Sequence, residues 1–366
     1  MKKHKIYDYL IVGAGFSGLV CAERLAKKNK KILLIDRRNH IAGNCFDYVG
    51  PHGLLIQKYG PHAFHTNYKK VWNYLSRFTK WRPYEHHVLA MVRGKLYPMP
   101  INIDTVNRFF GLKLNEHNIQ EHYDQIRFKN IKIKNSEDVI LSKVGRKLYE
   151  AFFKKYTKKQ WGLWPRELDS SVCARLPVRV NFDDRYFTDA FQAMPRAGFT
   201  AMAERMIKNP NITLKLSCDF KDIKDKIGYK KLIFTGCVDE YYGHKFGRLS
   251  YRSLRFRLED RRGTFQKCAG VNYTGSFVPK CTRITEFKHL SGQKRSPRTI
   301  IAREYSSAIG DPYYPILCPR NDKIYKKYKA LVDKEKNVYF LGRLGEFKYY
   351  NIDQVCYQAL KLSEKL

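Results

Sequence analysis

The sequence has no Cys-x-x-Cys pair, although its 366 residues include nine cysteines. Structural zinc sites use such pairs together with regularly spaced histidines, so the pattern predicts reduced thiols, a cytoplasmic protein and no metal centre. Long apolar runs are missing as well, and none approaches the roughly 20 residues that cross a bilayer. The sequence also contains no internal repeat or low-complexity tract.

Acidic residues are scarce, since 34 Asp and Glu stand against 70 Lys and Arg, which gives a formal net charge of +36. A field of this size attracts phosphates, nucleic acid and anionic lipid alike. The basic residues form short clusters interleaved with apolar residues, which is typical of a solvated surface. We therefore expect no specific nucleic-acid partner and at most a weak association with membrane surfaces.

The first 45 residues carry a dinucleotide-binding pattern. A β-type run at residues 7–12 leads into Gly-Ala-Gly-Phe-Ser-Gly, then a helical stretch and a second apolar strand at 32–35. Gly13 permits a tight turn, Gly15 lets a pyrophosphate approach the backbone, and Gly18 lets helix and strand pack closely. Asp36 ends the second strand, where a carboxylate can bind the ribose hydroxyls of an adenosine. An ordinary βαβ turn without a ligand is the alternative.

Two later segments concern the cofactor, and the first of them favours FAD over NAD as the bound dinucleotide. Residues 37–44 read Arg-Arg-Asn-His-Ile-Ala-Gly-Asn, which resembles the second pyrophosphate and flavin-side loop of FAD enzymes. His62 and His65 lie in a loop with Gly and Pro. They could be metal ligands, but no third ligand follows at a suitable spacing, so an active-site loop beside a cofactor is preferred.

Aromatic residues are abundant, with 26 Tyr and 22 Phe, as expected of a well-packed globular protein. A cap at Ser136 predicts a helix whose apolar residues recur at four-residue steps. These residues are Ile140, Val144, Leu148, Phe152 and Tyr156. Residues 157–165 then have the composition of an aromatic loop that can close over a ligand. Strands are predicted at 176–182, 212–216, 232–234, 253–257, 269–273, 283–287, 299–303 and 338–343, with a terminal helix from Ile352.

This order of elements predicts an α/β fold with a discontinuous Rossmann-type FAD-binding domain, a helical domain and an antiparallel β-sheet domain. The predicted FAD-binding domain comprises residues 1–85, 191–239 and 330–366. The predicted helical domain is 103–165, and the predicted substrate sheet comprises 80–102, 166–190 and 240–320.

Taken together, the motifs resemble the bacterial UDP-galactopyranose mutases. The matching segments occur in order along nearly the whole chain, and the ordered set is more specific than any one of them. They include Tyr-Gly-Pro-His-Ala-Phe-His-Thr, Tyr-Thr-Lys-Lys-Gln-Trp-Gly and Phe-Gly-Arg-Leu-Ser-Tyr-Arg-Ser-Leu. The full set is 7–15, 38–44, 59–66, 156–162, 175–179, 246–254, 282–289, 312–315 and 342–350.

The resemblance implies an isomerase that interconverts UDP-galactopyranose and UDP-galactofuranose without net oxidation, for the synthesis of cell-surface polysaccharides. Reduced FAD is the implied active form of the cofactor, and its N5 acts as the nucleophile toward the anomeric carbon as UDP leaves. The resemblance also implies a reductant such as NAD(P)H and a homodimer. The active site would lie between the three parts of the fold.

The resemblance also implies roles for individual residues. Arg175 and Arg283 would be the catalytic arginines, because planar guanidinium groups suit the growing charge of a departing pyrophosphate. The implied substrate-binding residues are His86, Phe152, Tyr156, Trp161, Tyr186, Asn272, Tyr314 and Tyr349. The implied cofactor-binding residues are Gly13, Gly15, Ser17, Gly18, Asp36, Arg37, Asn44, His62, Ala63, Arg343 and Asn351. Tyr156 would stack on uracil, and Trp161 would move with the closing loop.

Two positions depart from the family pattern. Many relatives carry Asp where Asn351 stands, and here the nearest carboxylate is Asp353; Asn still caps a helix well, and that helix would point its N-terminus at the flavin. His86 stands where some relatives have a small amide near the sugar. UDP-N-acetylgalactosamine is therefore an alternative substrate, and a surface position for His86 is an alternative placement.

Two other functions are open on sequence grounds. An FAD-dependent oxidoreductase of the amine-oxidase type shares the opening fingerprint, but its substrate cavity would be mainly apolar. A basic nucleic-acid-binding protein would suit the net charge of +36. The sequence, however, shows no motif for a recognition helix or an RNA-binding sheet.

Overall fold

The computed structural model describes residues 6–275 and 280–366. Its strands, in chain order, are β1 (Tyr7–Val12), β2 (Ile32–Ile35), β3 (Asp47–Val49), β4 (Leu55–Gln57), β5 (Phe64–Thr66), β6 (Trp81–Pro83), β7 (Val88–Val92), β8 (Lys95–Met99), β9 (Phe191–Pro195), β10 (Ile212–Lys215), β11 (Tyr229–Phe234), β12 (Tyr251–Arg262), β13 (Gly270–Tyr273), β14 (Arg283–Glu286), β15 (Arg298–Ser307), β16 (Tyr314–Pro315) and β17 (Val338–Phe340). Its α-helices are α1 (Phe16–Ala26), α2 (Lys69–Leu75), α3 (Ile103–Phe110), α4 (Ile119–Ile126), α5 (Ser136–Leu148), α6 (Lys155–Trp161), α7 (Ser171–Ala174), α8 (Gly198–Met206), α9 (Phe220–Ile223), α10 (Val238–Tyr241), α11 (Phe287–Ser291), α12 (Pro319–Val332), α13 (Gly342–Gly345) and α14 (Ile352–Lys365).

A parallel sheet in the order β10-β2-β1-β11-β17 forms the Rossmann-type part of the molecule. All four residues of β2 are buried, as expected of a strand covered on both faces. The terminal helix α14 packs on α1, and the Cys21 thiol lies 3.8 Å from the Ala359 carbonyl oxygen. Because the strands come from three separated parts of the chain, the predicted discontinuity of this domain is confirmed.

A second, larger sheet has the order β16-β12-β15-β14-β13-β7-β8. Its pairings are antiparallel except between β13 and β7. Asn272 on β13 pairs with Arg283 on β14, which in turn pairs with Glu304 on β15. Residues paired in this way project from the same face, so the sheet places an amide, a guanidinium and a carboxylate side by side.

The helical region differs from the sequence prediction at two points. The cap of α5 is Asn135, whose side chain accepts a hydrogen bond from the Asp138 amide, and Ser136 instead donates from Oγ to the Asp169 carbonyl. The apolar four-residue steps do not follow one continuous helix. Gly145 has non-helical backbone angles, and a π turn replaces the α pattern over residues 149–154.

Two predicted segments near the site have other structures. The expected loop at 157–165 is helical through Trp161, where α6 ends on Gly162 in the left-handed region that favours glycine. The expected strand at 176–182 is absent, and in this described segment only Val178 forms an isolated bridge, to Ile101. Pro177 cannot donate a ladder hydrogen bond, which explains why the apolar composition does not yield a strand there.

Two structural features are absent from the described parts of the chain. None of their helices combines the length and the hydropathy of a bilayer-spanning segment. No cluster of three His, Cys, Asp or Glu side chains in residues 6–275 and 280–366 is arranged to hold a metal ion.

Candidate active site

The glycine motif after β1 opens into a cavity of about 750 Å³, which we call the Rossmann cavity. This volume lies in the range of known ligand pockets. Its wall contains most of the residues predicted to bind the cofactor: Gly13, Gly15, Ser17, Asp36, Arg37, Asn44, His62, Arg343 and Asn351. Gly18 and Ala63 are not part of this wall.

The glycines of the motif have different structural roles. A Cβ at Gly18 would lie 2.0 Å from the Gly13 carbonyl oxygen, so this position must remain glycine for α1 to pack on β1. A Cβ at Gly15 would meet nothing closer than 3.8 Å, at Gly43. Gly15 therefore leaves space in the cavity rather than relieving a clash within the protein, which suits a ligand that approaches the backbone.

Asp36 lines the Rossmann cavity, and two backbone amides fix its carboxylate. Its Oδ2 accepts a hydrogen bond of 2.8 Å from the Ala14 amide, and its Oδ1 accepts one of 2.8 Å from the Arg38 amide. The carboxylate is thereby fixed beside the first turn of α1, whose N-terminus carries a partial positive charge. A diphosphate over Gly15 and hydroxyls near Asp36 would match these donors and acceptors, so the residues present fit a dinucleotide.

A second cavity of about 670 Å³, the inner cavity, lies between the helical region and the large sheet. All the predicted substrate-binding residues line it: His86, Phe152, Tyr156, Trp161, Tyr186, Asn272, Tyr314 and Tyr349. Both predicted catalytic arginines and Ala63 line it as well. The residues that line both cavities are Asn44, His62, Tyr313, Arg343, Asn351 and Ile352. A ligand that fills the first cavity can therefore contact the contents of the second.

Arg283 is held in the inner cavity by its neighbours on the sheet. Its Nε donates to Asn272 Oδ1 at 3.0 Å, and its Nη2 lies 3.4 Å from the Tyr156 hydroxyl. Burial alone would lower the pKa of Arg283, but the Tyr156 phenol and the Glu304 carboxylate raise it well above its usual value. The guanidinium is therefore a fixed positive charge facing the cavity.

Two further arginines of the inner cavity lie against the ring of Tyr349. The guanidinium carbon of Arg175 lies 4.0 Å from the centre of the Tyr349 ring, and that of Arg343 lies 5.0 Å from it. Burial pushes the pKa of Tyr349 up, but the charges of these two arginines outweigh it and lower the pKa. The cluster is thus suited to an anion, with a phenol as an additional donor.

Trp161 packs into this cluster. Its ring centre lies 5.7 Å from that of Tyr314 and 5.7 Å from that of Tyr349, and those two rings are 5.5 Å apart. Only 3% of Trp161 is exposed, so the indole is already inside the cavity wall.

Two histidines, the partly buried His62 and the buried His86, are held neutral. Burial lowers the pKa of His62 to about 4, and its Nδ1 lies 2.9 Å from the Gly60 carbonyl oxygen. Because a carbonyl oxygen can only accept a hydrogen bond, Nδ1 carries the proton. The unprotonated Nε2 can therefore accept a hydrogen bond. Burial and the nearby Arg283 charge lower the pKa of His86 to about 3, and its Nδ1 lies 2.8 Å from the Tyr84 hydroxyl. The surface placement considered for His86 is therefore wrong.

Glu304 is a further residue of the inner cavity that was not predicted from the sequence. This carboxylate is 3% exposed, lines the inner cavity and accepts a hydrogen bond of 3.2 Å from Thr282 Oγ1. A single Glu at the end of an apolar strand, Thr-Ile-Ile-Ala-Arg-Glu, was the available signal. Only the strand register shows that it lies beside Arg283.

The fold and the two adjoining cavities are those of a dinucleotide-binding enzyme, and the arginines of the inner cavity could hold an anion. The NAD(P)-binding Rossmann-like domain family matches residues 11–78, and the UDP-galactopyranose mutase family matches residues 151–349. The chain belongs to the UDP-galactopyranose mutase family, whose members are isomerases.

Two similar proteins and one solved structure are consistent with this family assignment. A Klebsiella pneumoniae protein named "Probable UDP-galactopyranose mutase" is 39% identical over 98% of this chain and 94% of its own length. An Escherichia coli dTDP-fucopyranose mutase is 33% identical over 97% of each chain. The crystal structure of a reduced UDP-galactopyranose mutase has a TM-score of 0.80 at 17% identity, covering 98% of this chain and 93% of that one. At that identity the last match supports the fold alone.

Proposed function

We propose that this enzyme interconverts the six-membered and five-membered ring forms of a nucleotide-linked galactose, with FAD bound in the Rossmann cavity. One observation carries the proposal: the arginine- and tyrosine-lined inner cavity shares a wall with the Rossmann cavity. A sugar in the inner cavity can thus contact the bound cofactor. We further propose the domain roles given above, with the inner cavity formed between the helical domain and the substrate sheet.

Reduced FAD, when bound, supplies the nucleophile that the reaction needs. The described lining of the inner cavity includes one thiol, Cys173, and burial raises its pKa, so it is a poor protein nucleophile. The protein's own task is to bind the nucleoside diphosphate and to stabilise the charge that grows on it as the glycosidic bond breaks.

Three arginines can carry out that task. Arg283 is fixed by Asn272 and Tyr156, whereas Arg175 and Arg343 flank Tyr349. Guanidinium groups bind diphosphate oxygens in pairs, which suits a leaving group with several equivalent oxygens. Tyr314 and Tyr349 add phenol donors, and the rings of Tyr156 and Phe152 offer a surface for the nucleobase.

Groups on the shared wall can stabilise a negatively charged reduced cofactor. Arg343 contributes a positive charge, and Asn351 caps the N-terminus of α14, where the helix dipole is positive. The neutral His62 adds an acceptor without adding a competing charge. We propose FAD in its reduced form, maintained by NAD(P)H or another reductant, as the active state, in a cytoplasmic homodimer that supplies furanose sugars for surface polysaccharides.

Three substrates are consistent with this site and need separation by experiment. Flavin-loaded enzyme, reduced with dithionite, is incubated with UDP-galactofuranose, dTDP-fucofuranose or UDP-N-acetylgalactosamine, and the products are separated by chromatography. We expect UDP-galactopyranose from the first at the highest kcat/KM. If only the dTDP sugar is converted, the activity is instead the one for which the Escherichia coli relative is named. If none of the three nucleotide sugars is converted, the proposal is refuted.

A further inference from the structure

The segment between α4 and α5, residues 127–134, has an unusual composition. It reads Arg-Phe-Lys-Asn-Ile-Lys-Ile-Lys, with four basic residues and no acidic one. All of it is exposed except the partly buried Ile131. Phe128 is 38% exposed and Ile133 is 46% exposed, so two large apolar side chains are exposed to solvent, each between two basic residues in the sequence. We call this segment the basic loop.

The base of the basic loop is fixed to the helices. The Phe128 amide donates to the Leu141 carbonyl at 3.1 Å, and the Lys134 amide donates to Asp138 Oδ2 at 2.9 Å. A Cβ at Gly145 would lie 2.0 Å from the Ile126 carbonyl oxygen, so the glycine lets the end of α4 lie directly on α5. The loop is therefore held in place, and its exposed apolar side chains are presented outward.

We propose that the basic loop docks on a bilayer surface that contains anionic lipids. Alternating apolar and basic residues suit the membrane interface, where Phe and Ile enter the boundary of headgroups and acyl chains while Lys and Arg contact lipid phosphates. The loop requires no spanning helix, and none is present in the described residues. The overall charge of +36 adds long-range attraction to the same surface.

Two other partners fit the loop less well. A second copy of this chain that docked through the same loop would bring four more basic side chains against these four, which is repulsive. A nucleic acid would use the lysines through its phosphates. It would leave the exposed Phe128 and Ile133 without an apolar partner, because phosphate contacts need no protruding apolar groups.

The test is co-sedimentation of the flavin-loaded, full-length enzyme with vesicles. Vesicles of phosphatidylglycerol and phosphatidylcholine are compared with vesicles of phosphatidylcholine alone. Phe128→Ser/Ile133→Ser is expected to weaken binding to the anionic vesicles about tenfold. Lys129→Ser/Lys132→Ser is expected to weaken it roughly thirtyfold. The matched controls are Val49→Ser/Ile309→Ser and Lys323→Ser/Lys336→Ser, which alter exposed side chains elsewhere.

Losses confined to the loop variants, with flavin content and turnover kept, support the proposal. Losses no greater than in the controls, or no binding by the parent enzyme, overturn it. Two results with unchanged vesicle binding would also overturn it. Loss of duplex DNA binding in the loop variants would point to a nucleic-acid partner, and a change in their oligomeric state, measured by sedimentation, would point to a second copy of the chain. Turnover is measured on every variant, so failure of this inference is separate from failure of the proposed function.

Discussion

The two cavities of this enzyme are built in different ways. In the Rossmann cavity, the wall at the first turn is formed by glycines and one carboxylate from the first 45 residues, and residues 218–243 and 342–355 complete it. The inner cavity is formed by side chains from helices and strands far apart in the chain. The first is therefore sensitive to the size of a residue and the second to its charge, and variants can affect one cavity without the other.

The largest effect is expected at Arg283. Arg283→Ala removes a partly buried charge from the proposed anion site, which costs about 2–5 kcal/mol in transition-state binding. Because Arg283 lines only the inner cavity, flavin content should be unchanged. Steady-state kinetics and flavin absorbance measure the two effects separately. Arg255→Ala, at an exposed position of the same sheet, is the control, and a parent-like kcat/KM in Arg283→Ala would remove this residue from the site.

The glycine motif provides a matched pair in the Rossmann cavity. Gly18→Ala places a methyl group against the Gly13 carbonyl oxygen, so it should lower the free energy of unfolding by up to about 3 kcal/mol. Gly15→Ala has room within the protein and a backbone φ of −78°, so it should keep the fold and lose flavin affinity. Urea unfolding and flavin titration distinguish the two variants. Equal stability losses would contradict the separate roles assigned to these glycines.

A pH effect should report on the inner cavity. The pKa of His86 is about 3 in the folded protein and about 6.5 for an unperturbed histidine, so between these values the unfolded chain binds the extra proton. Stability should therefore fall as the pH drops, by on the order of 2 kcal/mol between pH 6.5 and about 4.5. His62, with a pKa of about 4, contributes a similar loss over the same range, so His86→Gln should reduce the slope by roughly half, which urea unfolding measures. His87→Gln, at the more exposed neighbour, should leave it intact, and a slope unaffected by His86→Gln would argue against this origin.

The smallest effect concerns Trp161. A reporter keeps this tryptophan and replaces Trp72, Trp81 and Trp164 by Phe. Since the indole is already buried between Tyr314 and Tyr349, the free enzyme should emit as a buried indole, and UDP should change the intensity more than the wavelength. Emission typical of water before UDP is added would instead favour the mobile-loop position expected from sequence.

The same contrast explains how much the sequence could predict. The dinucleotide motif is local, so the roles of Gly13, Gly15 and Gly18 follow from backbone geometry. The inner cavity was predicted through family resemblance, because no local rule brings Asn272 and Arg283 together. Glu304 was missed since its position depends on strand register.

The failed predictions have physical causes of the same kind. The four-residue steps from Ile140 to Tyr156 would fit one helix, but Gly145 packs against a backbone carbonyl that only the tertiary structure reveals. The expected loop after Tyr156 is helical because Gly162, rather than an earlier residue, ends α6. Apolar composition suggested a strand at 176–182, whereas pairing there is limited to one bridge.

The central claim is that a sugar in the inner cavity reacts at a reduced flavin bound beside it, without net oxidation. The most direct measurement counts product formed per flavin after a single anaerobic reduction, with UDP-galactofuranose as substrate. We expect many molecules of UDP-galactopyranose per reduced flavin, and almost none from the oxidised enzyme. Equal turnover with oxidised flavin, or product limited to one molecule per flavin reduced, would contradict it.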